Sequence, residues 1–402
     1  MRKVFPGLLA FLVSFSVFGQ PDLTRLTERS SINNPVIPGA LRTEVYFPML
    51  SSMKVGVVAN QTSMIGKVHL VDTLLSAGIQ VVRVFTPEHG FRGNAEAGAA
   101  VGNDWDSRSG LPLISLYGDH KKPGKTDLEG IDIIVFDLQD VGARFYTYIS
   151  TMTYIMEACA ENNIPLIILD RPNPNGFYVD GPVLKPEYSS FVGLHPVPVV
   201  HGMTMSEYAR MVNGEKWLKD GIVCPLQWVS CEGYTHKSRY RLPVKPSPNL
   251  PDMASVYLYP SLCFFEGTVV SVGRGTKSPF TIIGHPDFKA GSYTFKPVQI
   301  RGVSENPPHK GIECYGYNLR NRANEIYEAG GLRLGWLIEM YGALGSTPAF
   351  FNNFFDKLAG SDELRRQIQA GTGEEEIRES WASDLEKFKI IRKKYLLYPD
   401  FE

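Results

Sequence analysis

One pattern recurs along this chain. A short, almost wholly apolar run, rich in β-branched residues, stops abruptly in a cluster of polar side chains. Residues 54–59 (KVGVVA) run into Asn60-Gln61-Thr62-Ser63, and 81–85 (VVRVF) into Thr86-Pro87-Glu88-His89. Residues 131–136 (IDIIVF) run into Asp137-Leu138-Gln139-Asp140, and 164–169 (IPLIIL) into Asp170-Arg171-Pro172-Asn173. Residues 197–200 lead into His201 in the same way, and 111–116 reads as a further short strand. Runs that are apolar throughout, rather than alternately, are strands buried on both faces. Between them lie helical patterns at 68–77, closed by Gly78, at 148–162, and from Met205 onward. Strands alternating with helices predict an α/β fold with a doubly wound, mostly parallel sheet. Such a sheet presents ligands to the carboxyl ends of its strands, so Asn60, Glu88, Asp137, Asp140, Asp170 and His201 are expected along one edge.

The pattern changes near Tyr257. Proline-rich 246–251 (PSPNLP) reads as a boundary or rigid loop, followed by glycine-rich turns, short strands to about Ile300, and helices. At 402 residues the chain is long for one domain. The expected division is a sheet domain over 54–255 and an α+β domain over 256–402. The last helix is expected to open on a Thr372–Glu375 capping box and to bury Ile377, Trp381, Leu385, Phe388 and Tyr395. Before the first strand, 20–53 reads as an irregular lead-in. Residues 1–19, with Arg2 and Lys3 ahead of an apolar run, read as a signal peptide cleaved near Gln20, so the protein is expected to be periplasmic or otherwise exported, with no membrane span after cleavage. A net charge of −1 gives no electrostatic case for nucleic acid or an anionic membrane as partner. Of five cysteines, Cys224 and Cys231 are closest, but on one extended strand their Cα atoms would lie about 23 Å apart, beyond the ~7 Å a disulfide spans. No disulfide framework is expected.

Several chemistries find no motif. No G-x-G-x-x-G follows a strand, so no dinucleotide is expected, and 118–126 has one spacer too many for a phosphate loop. There is no H-E-x-x-H or zinc-like histidine spacing, and no G-x-S-x-G elbow. The expectation is no cofactor, no metal and no nucleotide. Carboxylates remain. Glu88, flanked by Phe85 and Phe91, is either a partly desolvated general acid or the partner of Arg92 in a structural ion pair. Asp140 is either half of a carboxylate pair with Asp137 or a helix cap. Asp170-Arg171 beside two X-Pro steps also reads as a rigid turn. Glu207 sits in a Thr204–Glu207 capping box and reads as structural; His201, just ahead, is the better candidate. Glu266 interrupts an apolar run, and is either bridged to Arg274 or a second catalytic group. Paired carboxylates without metal, nucleotide or nucleophile motifs favour glycosidic hydrolysis.

At these residues the chain resembles a known family. TPEHGFRG (86–93), SLYG (115–118), FDLQDVGARFYTY (136–148), LDRPNPNG (169–176), HGMT (201–204), PSPNLP (246–251) and EGT with GRGT and SPF (266–280) are similar to the exo-β-N-acetylmuramidase family NamZ, formerly a domain of unknown function. The likeness runs from about Lys54 to the carboxyl end. It implies a Rossmann-like N-terminal domain, a C-terminal auxiliary domain and a site in the cleft between them. It also implies removal of N-acetylmuramic acid from the non-reducing end of peptidoglycan fragments, with glutamates in the cleft as catalytic groups. Glu88, Glu266 and Asp140 are therefore the candidate catalytic carboxylates. The lactyl carboxylate of the sugar asks for an arginine, which Arg92, Arg108, Arg144 or Arg274 would supply. Asn60, His89, Asp137, Asp170, Asn173, His201 and Asn249 complete the expected substrate-binding set. Retention, inversion and assistance by the 2-acetamido group all stay open, as does a non-catalytic binding protein for cell-wall sugars.

Overall fold

The computed structural model describes residues 35–88, 90–91 and 104–402. The expected signal peptide and the candidates His89 and Arg92 lie outside the described residues. The fold below belongs to the unit Pro35–Glu402.

Seven strands form the central sheet: β1 (Lys54–Ala59), β4 (Gln80–Thr86), β5 (Asp104–Trp105), β6 (Pro112–Ser115), β7 (Ile133–Asp137), β8 (Leu166–Leu169) and β9 (Leu226–Val229). A two-stranded ribbon, β2 (Met64–Ile65) and β3 (Val68–His69), branches off after β1. The sheet order is β5-β6-β4-β1-β7-β8-β9, and only the short β5 pairs antiparallel. Counted in chain order, the six parallel strands lie 3-2-1-4-5-6, the Rossmann order. The chain therefore reverses direction across the sheet between β1 and β7. Their register, Val58 beside Phe136 and Ala59 beside Asp137, brings both strands to the same edge together.

Burial on both faces explains the apolar runs. Val55, Val57 and Ala59 pack toward α1 (Thr43–Leu50) and α2 (Leu70–Ser76), meeting Tyr46, Leu50, Leu70 and Leu74. Val58, Phe136 and Ile168 face α3 (Tyr148–Asn162) and α4 (Met205–Gly214). That second core continues into the C-terminal half through Phe264 and Phe355. There α5 (Met253–Leu262), capped by Asp252 Oδ1 on Ser255 N–H at 3.1 Å, precedes a three-stranded antiparallel sheet and a run of short helices. The small sheet has the order β10 (Ile282–His285), β12 (Cys314–Asn318), β11 (Tyr293–Phe295).

Four expectations need correction. The lead-in is not wholly irregular, since α1 forms there with Pro48 inside it. Residues 197–200 do not join the sheet. Pro196 and Pro198 have no N–H to give a ladder, and Val200 makes only isolated bridges to Ala143 and Asp180. The sixth parallel strand is β9, shorter than the extended run drawn between Cys224 and Cys231; all five cysteines are buried free thiols. Thr372 does not cap the last helix. Its N–H closes the preceding helix on Gln367 O at 3.0 Å, leaving Gly373 as N-cap, and the helical run breaks at Trp381 into Glu374–Ser380 and Ala382–Lys393. Ile377, Trp381 and Phe388 are nevertheless buried.

Candidate active site

The carboxyl edge of the sheet is polar because each strand ends where its burial ends. After β4, Pro87 turns the chain, Gly90 N–H closes on Pro87 O at 3.1 Å, and Glu88 is left half-buried at the edge. Two hydroxyls reach it from neighbouring elements. Thr147, the N-cap residue of α3, donates through Oγ1 to Glu88 Oε2 at 3.3 Å. Tyr117, two residues past β6, donates its phenol to the same carboxylate. Burial, then the Glu88 charge and bond, push the Tyr117 hydroxyl up to about 12, so it stays a donor at physiological pH.

At the switch between β1 and β7, Asn60 Nδ2 donates to Tyr148 Oη at 2.7 Å, while Asn60 Oδ1 takes Thr62 N–H and Oγ1 at 2.8 and 2.6 Å. Asn60 thus holds a tyrosine rather than offering itself to a ligand. Tyr146 packs edge-on to Tyr148, with centroids 4.8 Å apart, and donates to Pro246 O at 2.7 Å. From the C-terminal half, Arg274 lies over the Phe280 ring at 5.2 Å and bonds through Nε to Glu266 Oε1 at 2.5 Å. Burial alone would lower the guanidinium pKa, but the Glu266 charge and bond outweigh it and hold it above its ordinary value. Gly267 follows Glu266 because a Cβ there would meet the Phe355 backbone at 2.4 Å.

Glu88, Tyr146, Tyr148, Asn249, Tyr259 and Arg274 line one cleft, with Phe145, Phe280, Thr147, Ser247 and Leu250. Of the sequence candidates, Glu88, Asn249 and Arg274 meet there, and Glu266 stands directly behind Arg274. Asp140 lies behind the wall. Its Oδ1 takes Gly142 N–H at 2.6 Å, and burial pushes the carboxyl up to about 7 despite the Gly142 and Val141 amides. Asp137 is wholly buried in a two-pronged bond to Arg171, at 2.5 and 2.9 Å. Asp170 accepts from Thr204 Oγ1, Ser206 N and Tyr398 Oη at 2.7, 2.9 and 2.6 Å, pinning the start of α4, and burial still raises it to about 6. Asn173 spans Met203 O and Asn175 N within the turn read from its prolines. His201 is buried, and desolvation first, then Arg392 and Arg144, push it down to about 3. Arg144 is buried away from the cleft, donating to Pro182 O, Val197 O and Leu358 O. Arg108 is exposed, paired with Asp72 at 3.3 Å. Glu207 forms the expected capping box with Thr204.

Sequence reasoning missed Tyr117, which bonds Glu88, and the lining residues Tyr146, Thr147, Tyr148 and Tyr259. Part of the signal was available, since SLYG runs on from β6 and FYTY opens α3, whereas Tyr259 lies within α5.

A Rossmann-ordered sheet bearing a carboxylate at its edge, with a guanidinium brought by a second α+β half and tyrosines between, defines a two-part α/β protein built to hold a polar, ring-sized ligand. The chain belongs to the exo-β-N-acetylmuramidase family NamZ, whose N-terminal profile matches residues 55–254 and whose C-terminal profile matches 257–398. It is 37% identical over 420 residues to the peptidoglycan β-N-acetylmuramidase NamZ of Bacillus subtilis, covering 99% of this chain and 100% of that protein. Two crystal structures of DUF1343 family proteins from Bacteroides fragilis share the fold. One has a TM-score of 0.85 and 47% identity over 91% of this chain and 100% of its own; the other has 0.76 and 29% over 90% and 99%. No helix among the described residues is long and apolar enough to cross a membrane.

Proposed function

We propose that this chain is an exo-acting glycoside hydrolase that releases N-acetylmuramic acid from the non-reducing end of peptidoglycan fragments, in cell-wall turnover or recycling. The observation that carries this reading is the meeting of Glu88 and Arg274 in one tyrosine-lined cleft, contributed by the two halves of a NamZ chain. Arg274 offers a guanidinium for the lactyl carboxylate, while Glu266 keeps it charged and oriented. Glu88 is the carboxyl for proton transfer, or for orienting the 2-acetamido group if the sugar assists its own cleavage. Thr147 and Tyr117 fix its position. Residues 1–19 act as an export signal, which puts the mature enzyme in the periplasm, beside its substrate.

The test is hydrolysis of a chromogenic N-acetylmuramide beside the matching N-acetylglucosaminide. Release from the muramide alone is expected; no release from it, or equal release from both, overturns the reading. Export is tested separately, by finding the mature amino terminus near Gln20.

A further inference from the structure

We propose that Phe280 is a positioning residue for Arg274: its ring is the platform that sets the plane of the guanidinium offered to the lactyl carboxylate. This rests on the muramidase reading of the same cleft and adds to it a residue that tunes recognition of the acid.

The backbone is the first sign. Phe280 has φ +54°, in the left-handed region. A bulky side chain is rarely found there, because its Cβ crowds the following carbonyl oxygen. Seven described residues other than glycine have positive φ; six carry polar side chains, and Phe280 alone is apolar. Such outliers persist where the surroundings over-determine them, and they gather at functional sites. Here Phe280 N–H closes on Val272 O at 2.8 Å, shutting the neck of the loop that carries Arg274. Tyr259 packs edge-on against the ring, with centroids 5.0 Å apart. Glycine or asparagine would make the same turn at lower cost, but without a ring.

What lies on the ring is the second sign. The Arg274 guanidinium carbon stands over it, 5.2 Å from the centroid, within cation–π range. Glu266 Oε1 takes Arg274 Nε. That one bond fixes an edge of the guanidinium but leaves its plane free to tilt; the ring face removes that freedom. The two Nη groups make no hydrogen bond among the described residues, and the side chain is 23% exposed, so a ligand in the cleft reaches it. A carboxylate is bound best by parallel N–H bonds lying in the guanidinium plane. Holding that plane therefore matters for an acid and much less for a neutral group.

The test compares an aryl N-acetylmuramide with its lactyl carboxamide, which keeps the shape and removes the charge. The proteins are the full chain, Phe280→Leu and Phe280→Met. Both variants keep an apolar side chain of similar reach without a ring face, and the second serves should the first not fold. The wild type is expected to prefer the acid by at least about tenfold in kcat/KM, the lower end of what a bond between charged groups gives. In either variant that acid-to-amide ratio should fall about fivefold, carried by KM for the acid, as the loss of one cation–π contact predicts. Equal losses on acid and amide, with the ratio intact, would make Phe280 a packing residue and overturn the proposal. Titration of free N-acetylmuramic acid and its carboxamide against the same proteins reads the ratio without turnover. A chain that binds with the expected ratio, lowered in the variants, yet hydrolyses neither substrate overturns the muramidase reading alone. A wild type that binds acid and amide alike overturns the platform, since Arg274 then holds no carboxylate. No binding of either sugar overturns both.

Discussion

Arg274 Nε lies 2.5 Å from Glu266 Oε1, and the same arginine lines the cleft that holds Glu88. Each side chain of the pair is about a fifth exposed, so neither is fully solvated. If Arg274 binds the lactyl carboxylate as proposed, this pairing gives Glu266 the task of holding that cation. Glu266→Gln keeps the shape, removes the counter-charge and frees Arg274 to swing. KM for the muramide should rise about tenfold with kcat within about threefold, the pattern of lost ground-state binding. Steady-state kinetics decide it: a fall in kcat of a hundredfold or more with KM unchanged would make Glu266 the second catalytic carboxylate.

Glu88 is the position where loss should strike turnover. Glu88→Gln keeps an acceptor for Thr147 and Tyr117 but carries no transferable proton. General acid–base catalysis contributes ~10²–10⁴-fold, so kcat should fall by about that much on a natural disaccharide and less on an activated aryl glycoside. The melting temperature should hold within about 2 °C, because the hydroxyl contacts survive. Tyr117→Phe removes one of the two hydroxyl bonds that position Glu88 and should lower kcat by about tenfold. Near-normal turnover in a folded Glu88→Gln enzyme would remove Glu88 from the mechanism.

The sheet was legible because burial on both faces writes itself as unbroken apolar runs, and helix α3 because Tyr148–Asn162 has clear periodicity. The 197–200 segment misled because Val-Pro-Val-Val has strand composition, yet the missing N–H of Pro198 bars a ladder. The site was half legible. Strand-end position pointed to Glu88, but it pointed equally to Asp137, Asp140 and Asp170. One-dimensional spacing does not say whether a carboxylate faces the cleft or an internal partner. For Asp137 the partner is Arg171, 34 residues away, and for Asp170 it includes Tyr398, 228 away. Tyrosines were passed over because a phenol is read first as core. Their hydroxyls gain meaning only once the fold sets them beside Glu88 and Asn60.

Arg144 illustrates the same ambiguity and gives a stability prediction. A reader of the lactyl carboxylate would sit in the cleft. This guanidinium instead donates at 2.7–2.8 Å to carbonyls of Val197 and Pro182 on one side and Leu358 on the other, bridging the two halves. No carboxylate among the described residues compensates its burial, which pulls its pKa down to about 9. Arg144→Ala would orphan three buried carbonyls and open a void. A loss of about 3–5 kcal/mol is expected from unpairing buried polar groups and from the cavity. Urea unfolding measures that loss, and KM for the muramide should stay unchanged in whatever fraction folds. A stable Arg144→Ala enzyme with a raised KM would restore the arginine to the binding site.

Asp140 predicts a pH dependence of stability. Burial raises its carboxyl from 3.8 to about 7 in the folded chain, and Oδ2 has no hydrogen-bond partner among the described residues to offset it. Below pH 3.8 the folded and unfolded chains both hold the proton, and the site costs nothing. Between there and pH 7 the unfolded chain releases the proton while the folded chain keeps it. Stability therefore falls as pH rises through this window, and above pH 7 the full cost is present, about 4 kcal/mol. The wild type alone would not show this cleanly. Asp170, raised to about 6, adds a fall of the same sign. His195 and His201, pushed down by burial to about 4 and about 3, act oppositely: the unfolded chain takes up their protons below about pH 6.5, so they remove stability as pH drops. Asp140→Asn cannot ionise, and subtracting its urea-unfolding free energy from that of the wild type cancels the other groups. The difference should be flat below pH 4, drift in favour of the variant by roughly 4 kcal/mol up to pH 7.5, and level off. A difference that stays constant from pH 4 to 7.5 would mean that Asp140 ionises as easily in the fold as in water.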